Sequence, residues 1–182
     1  MHYIKDVNIA AVSATVPSKK VCNLSLSEQF GEAEVKKLIK SIGVETRHVA
    51  SEIQTTSDLC YESALRVIES LHWEPQSVGA LIFVSQTPDY QLPATACVMQ
   101  SKLGLNSNTI AYDVNLGCSG YAYGLFLAST LINSGIDRVL LLVGDTISKI
   151  VKPNDRSTEL LFGDAGTATA IHRQSGKGLS LP

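Results

Sequence analysis

Between Val114 and Ile136 the chain carries no charged residue, and Asp113 and Asp137 stand at the two ends of the run. A stretch of that length either crosses a bilayer or is covered by protein. Asn115, Ser119, Ser129, Thr130, Asn133, Ser134 and four glycines lie within it, and a basic flank is missing. A lipid-facing helix tolerates neither feature well. The run therefore predicts a helix buried in protein on nearly all sides, preceded by a turn near Gly117 and Gly120.

Charge is scarce in the rest of the chain too. Only 18% of the 182 residues are charged, against about 25% in an average soluble domain. So little charge predicts more buried surface than one domain needs, supplied by a partner interface or a second half. The net charge of −2 and a pI near 6.1 argue against a nucleic-acid or anionic-membrane surface. The opening residues, Met1 to Asp6, lack the basic-then-apolar layout of a signal peptide. A cytoplasmic location is expected. Cys22, Cys60, Cys97 and Cys118 form no Cys-x-x-Cys pair, so neither a metal site nor a disulfide framework is signalled.

Strand and helix patterns alternate. Val7 to Val12 reads as a strand closed by Pro17. Ser25-Leu26-Ser27-Glu28 fits a capping box opening a helix to about Lys40, with Gly43 ending it and Val44 to Ala50 as a short extended piece. A helix is expected over Asp58 to His72 with Thr56 and Ser57 as caps, then a fully apolar strand at Ala80 to Val84. Pro93 marks the first turn of a helix ending near Gly104. Thr109 to Val114, Val139 to Val143 and Thr167 to Ile171 read as strands, and Gly178 to Pro182 as the start of another. The alternation predicts an α/β fold with helices on both faces of a mixed, mostly parallel sheet.

The segment richest in chemistry is Asp113-Val114-Asn115-Leu116-Gly117-Cys118-Ser119-Gly120-Tyr121. Gly117 and Gly120 let the backbone pass close to a reacting group. The helix that follows directs unpaired N–H groups and its positive dipole end at Cys118, which favours the thiolate. The Cys118 N–H could also serve as an oxyanion donor. The same residues suit a structural cysteine at a helix start. The glycines are one position too close for a Gly-x-Ser-x-Gly hydrolase elbow. His2, His48, His72 and His172 assemble no Cys-His-Asn arrangement.

These residues resemble a known family. The Cys118 segment, with Leu92-Pro93-Ala94-Thr95-Ala96-Cys97-Val98-Met99-Gln100 before it and Leu161-Phe162-Gly163-Asp164-Ala165-Gly166 after it, is similar to β-ketoacyl-acyl-carrier-protein synthase III. Gly43-Val44-Glu45-Thr46-Arg47-His48 resembles that family's early Gly-Ile-x-x-Arg motif, and Pro153-Asn154-Asp155-Arg156 its later loop. The resemblance implies a thiolase-like fold of two similar halves, with residues 1–182 as the N-terminal half and the C-terminal half absent from this chain. It implies that Cys118 accepts an acyl group from a coenzyme A or acyl-carrier-protein thioester. The acyl group is then condensed with malonyl-acyl carrier protein by decarboxylation, with no bound cofactor and no metal, in a homodimer.

In that reading Arg156 packs on the adenine of coenzyme A, and Leu92 sits in the loop that closes the partner's acyl pocket. The assisting His and Asn belong to the other half. Lys37 and Ser41 stand where members that use acetyl-coenzyme A carry Trp and Arg, which puts that donor in doubt. Type III polyketide synthases and hydroxymethylglutaryl-coenzyme A synthases are related alternatives. A non-catalytic chain that only dimerises or binds acyl carriers is the alternative of another class.

Overall fold

The computed structural model describes residues 2–181, with the side chains of residues 2 and 157 outside the description. One sheet organises the fold, in the order β1 (His2–Thr15), β7 (Ala165–Leu181), β6 (Arg138–Asp145), β4 (Ala80–Val84), β5 (Ile110–Val114), and β2 (Lys20–Cys22) pairs with β3 (Thr46–His48) apart from it. The ladders of β4 with β5 and with β6 are parallel, while β7 runs antiparallel to both β6 and β1. Four of the five strands therefore point the same way and β7 alone opposes them, which makes the sheet mixed and mostly parallel.

Strand β4 explains why the centre is where it is. All five of its residues are buried, and alternate side chains serve opposite layers. Leu81 and Phe83 join α3 (Thr56–Ser70) and α4 (Thr95–Lys102) on one face, through Ala64, Val67, Ala96 and Met99. Ile82 and Val84 meet Leu125, Ala128 and Ile132 of α5 (Gly120–Asn133) on the other. At about 25 cal/mol per Å² of apolar surface, these two layers are the main driving force for the fold.

Several boundaries differ from the sequence expectation. The helix expected from Ser25 to Lys40 is broken into α1 (Ser27–Phe30) and α2 (Glu32–Ile42), because Gly31 adopts φ +86° between them. The expected capping box there does not form, since Ser25 Oγ donates to the Cys22 carbonyl instead. Helix α3 is capped by Thr55 in place of Thr56 or Ser57. The Thr55 side chain accepts from the Asp58 N–H, and the Asp58 carboxylate accepts from the Thr55 N–H. The separate strand expected at Gly178 is a continuation of β7, paired with β1 through Tyr3–Ser180 and Lys5–Gly178; Pro182 lies outside the described residues.

Helix α5 gives the largest correction. Leu125, Ala128 and Ile132 are buried, but Tyr121, Tyr123 and Phe126 are exposed, so one face is covered and the other is open. The uncharged run reflects a helix with an apolar face left uncovered within these 182 residues. Among the described residues no helix is long and apolar enough to cross a membrane.

Candidate active site

The parallel strands β4, β5 and β6 end along one edge of the sheet, where open α/β sheets place their ligand sites. Strand β5 stops at Val114 and α5 starts at Gly120, so Cys118 rides on the short turn between them. The Gly120 N–H donates to the Gly117 carbonyl over 2.7 Å and closes the turn around Cys118. A Cβ on Gly120 would stand 2.7 Å from Val84 Cγ1, so a larger residue there would push the first coil of α5 off β4; one on Gly117 would meet only the far end of the Gln86 side chain, at 2.5 Å.

The Cys118 thiol is exposed and lines a cavity of about 750 Å³. Leu116, Tyr121, Val143, Ile147 and Phe162 supply apolar wall, and Gly163, Ala165 and Thr167 bring the start of β7 to the same space. The Tyr121 hydroxyl lies 3.3 Å from Thr169 Oγ1, which ties the first turn of α5 to β7 beneath the cavity. Gln86 and Asp145 form its polar edge. No histidine is among the lining residues. His48 Nδ1–H donates to the Pro17 carbonyl, and His172 lies against Asn8 and Trp73, so both are engaged elsewhere.

Three carboxylates hold the frame. Asp145 Oδ1 accepts from Ser85 Oγ and from the N–H groups of Gln86 and Thr87, locking the loop after β4 onto the end of β6. Asp113, part of the cysteine segment, accepts from the Thr95 and Ala96 N–H groups and so caps α4 from β5. Asp164 is buried and accepts from the Ala50 N–H, the Ser148 N–H and Ser148 Oγ. Arg47 is also buried, donating to Asn23 Oδ1 and the Phe162 carbonyl; burial pulls its pKa down against the opposing charges of Glu159 and Asp164. It thereby anchors the Phe162 wall.

Cys118 is the one cysteine at the end of the parallel strands, whereas Cys22 lines a separate cavity of about 610 Å³ beside α2. Cys60 is fully buried, and burial pushes its thiol up to about 12, which leaves it protonated and inert. Cys22 and Cys97 are exposed away from the Cys118 cavity. Leu92 is 90% exposed and does not line this cavity. Arg156 sits on α6 (Arg156–Glu159), donates to Glu34 over 3.3 Å, and is likewise absent from the cavity wall. Within this chain neither residue is brought to Cys118. Tyr121 and Phe162 stand within the quoted motifs without a role of their own, and Gln86 lies outside them, although it follows the end of a buried parallel strand, a position that points to a ligand site.

Residues 112–181 match the family model for 3-oxoacyl-(acyl-carrier-protein) synthase III. A Campylobacter jejuni chain is 38% identical over 168 residues, 91% of this chain and 48% of its own length. The beta-ketoacyl-acyl-carrier-protein synthase III of Caldanaerobacter subterraneus is 35% identical over 94% of this chain and 52% of its own length. The crystal structure of a 3-oxoacyl-(acyl-carrier protein) synthase from Burkholderia xenovorans superposes with a TM-score of 0.94 at 47% identity. It is covered over 51% of its chain by 97% of this one. Over these elements the chain is similar to the 3-oxoacyl-(acyl-carrier-protein) synthase III family. It spans about half the length of the curated relatives it matches. The segment that the family model matches begins on β5 and contains the cysteine turn, α5, β6 and β7, so the family likeness falls on the elements that build the cavity.

Proposed function

We propose that this chain is the N-terminal, acyl-accepting half of a 3-oxoacyl-acyl-carrier-protein synthase III enzyme, and that Cys118 is its nucleophile. The observation that carries the reading is the exposed Cys118 at the head of α5, opening into a largely apolar cavity with no second cysteine among its lining residues.

In the first step the Cys118 thiolate attacks the carbonyl of an acyl thioester. The bond to the coenzyme A or carrier thiol breaks, and that thiol leaves. In the second, malonyl-acyl carrier protein loses its carboxylate as carbon dioxide. The resulting carbanion attacks the carbonyl of the Cys118 thioester, the carbon–carbon bond forms, and the cysteine sulfur leaves as thiolate. The Cys118 N–H is a candidate oxyanion donor in both steps. Leu116, Val143 and Phe162 give the reacting end of the acyl group an apolar seat, as small-ligand cavities require.

The groups that assist decarboxylation are assigned to the other half of the enzyme, since the cavity wall holds no histidine. Acyl carrier protein as partner, a homodimeric assembly and a cytoplasmic location belong to the same reading. Arg156 is assigned to coenzyme A, and Leu92 to a neighbouring subunit's acyl pocket. The solvent-facing position of Leu92 suits a contact made outside its own chain.

The test is condensation itself. The full-length protein is supplied with an acyl thioester and malonyl-acyl carrier protein, and the 3-oxoacyl product is followed beside a Cys118→Ala variant. Product formation that disappears in the variant is expected. Condensation that survives the substitution would overturn the assignment, and turnover by the 182-residue chain alone would overturn the division between halves.

A further inference from the structure

Gln86 borders two cavities. It lines the Cys118 cavity, and it also lines a second one of about 370 Å³, together with Thr87, Gln91, Thr146, Lys149 and Ile150. The side chain lies directly against the cysteine turn, its Oε1 2.5 Å from where a Cβ on Gly117 would be. Its backbone is held still, because the Gln86 N–H donates to Asp145 Oδ1 over 2.7 Å. The side chain itself is exposed and lines both spaces.

The polar groups of the second cavity divide into committed and free. Thr56, Thr87 and Thr146 hydrogen-bond to one another, and Asp89 accepts from the Ser57 N–H and Oγ. Lys149 Nζ donates to the Glu52 and Gln54 carbonyls. Among the described residues, the side-chain amides of Gln86 and Gln91 make no hydrogen bond. Each offers both a donor and an acceptor, which suits a neutral oxygen function such as a hydroxyl or a keto group.

Resting on the nucleophile assignment of Cys118, we propose that Gln86 is a specificity-determining residue. It hydrogen-bonds an oxygen-bearing acyl chain that runs from the Cys118 thioester past Gly117 into the second cavity. A purely aliphatic chain leaves the two amides unpaired there and is disfavoured.

The experiment compares Cys118 acylation of the full-length protein by pairs of coenzyme A thioesters. Hexanoyl is set against 3-hydroxyhexanoyl and 6-hydroxyhexanoyl, with initial rates read by intact mass spectrometry. The wild type is expected to favour at least one hydroxyacyl donor over hexanoyl, by about 2- to 10-fold for a single net hydrogen bond. Gln86→Leu, close in size but without the amide, should bring that ratio to one or below. Gln86→Ala should do the same, and thermal melts of both variants verify folding. Adducts that form on Cys118 with a ratio unchanged by either substitution, or a wild type that prefers hexanoyl, would overturn the role of Gln86 alone. Absence of any Cys118 adduct from every donor would overturn the nucleophile assignment and this proposal with it.

Discussion

Val84 lies so close beneath Gly120 that a Cβ on the glycine would stand 2.7 Å from the valine Cγ1. The last residue of β4 and the first residue of α5 are thus in direct contact, and Cys118 sits on the turn that this contact holds in place. Gly120→Ala must push α5 away from β4 or displace Val84. Overpacking of this kind costs about 1–3 kcal/mol. Urea denaturation should show the loss, and the same variant should acylate more slowly than wild type. Unchanged stability would mean that the turn adapts freely.

The cysteines should separate by burial. With iodoacetamide on the native chain, Cys22, Cys97 and Cys118 are expected to react while Cys60 does not, because it is fully buried and its thiol is pushed up to about 12. Unfolding in urea should add one further adduct, at Cys60. Peptide mapping that finds native alkylation of Cys60 would contradict the packing of α3 against β7.

Asp58 links stability to acid pH. Burial pushes its carboxyl up, but the Thr55 N–H, the Lys102 ammonium and the Thr55 hydroxyl outweigh burial and leave it below its ordinary value. A depressed folded-state pKa means stability that is present above the unfolded value of about 4 and is lost as pH falls through the folded one. Asp58→Ala should lower stability at pH 7 by about 0.3–1 kcal/mol, since the carboxylate stands near the N-terminus of α3 at a partly exposed site. Below pH 4 the difference from wild type should shrink. A gap that widens in acid would reverse the assigned sign.

Asp164 should matter more. Asp164→Ala strands the Ala50 and Ser148 N–H groups, which now donate to the buried carboxylate at 2.7 and 2.9 Å. An unsatisfied buried donor costs about 1–3 kcal/mol. Thermal melting should show a clear drop, larger than that of Asp58→Ala. Equal effects would mean that water replaces the carboxylate.

The sequence made some elements plain and hid others for physical reasons. Ala80 to Val84 is legible because a strand buried on both faces must be apolar throughout, and the α5 terminus near Asn133 is marked by the small polar residues that follow. The break at Gly31 is hidden because helical spacing continues across it. The open face of α5 is hidden as well, since Tyr121, Tyr123 and Phe126 read as core wherever their cover comes from. Cys118 is legible through its glycines, whereas Gln86 and Phe162 owe their place at the cavity to strand ends that meet only in space.

The central claim is that Cys118 accepts the acyl group, and intact mass spectrometry of the full-length protein tests it most directly. The protein is incubated with acetyl-, butyryl- and octanoyl-thioesters, each on coenzyme A and on acyl carrier protein, beside a Cys118→Ala control. A single acyl adduct that is absent from the control is the predicted result. An adduct that persists in the control, or none from any donor, would contradict the claim and leave Cys118 a structural cysteine in a chain that only binds acyl carriers.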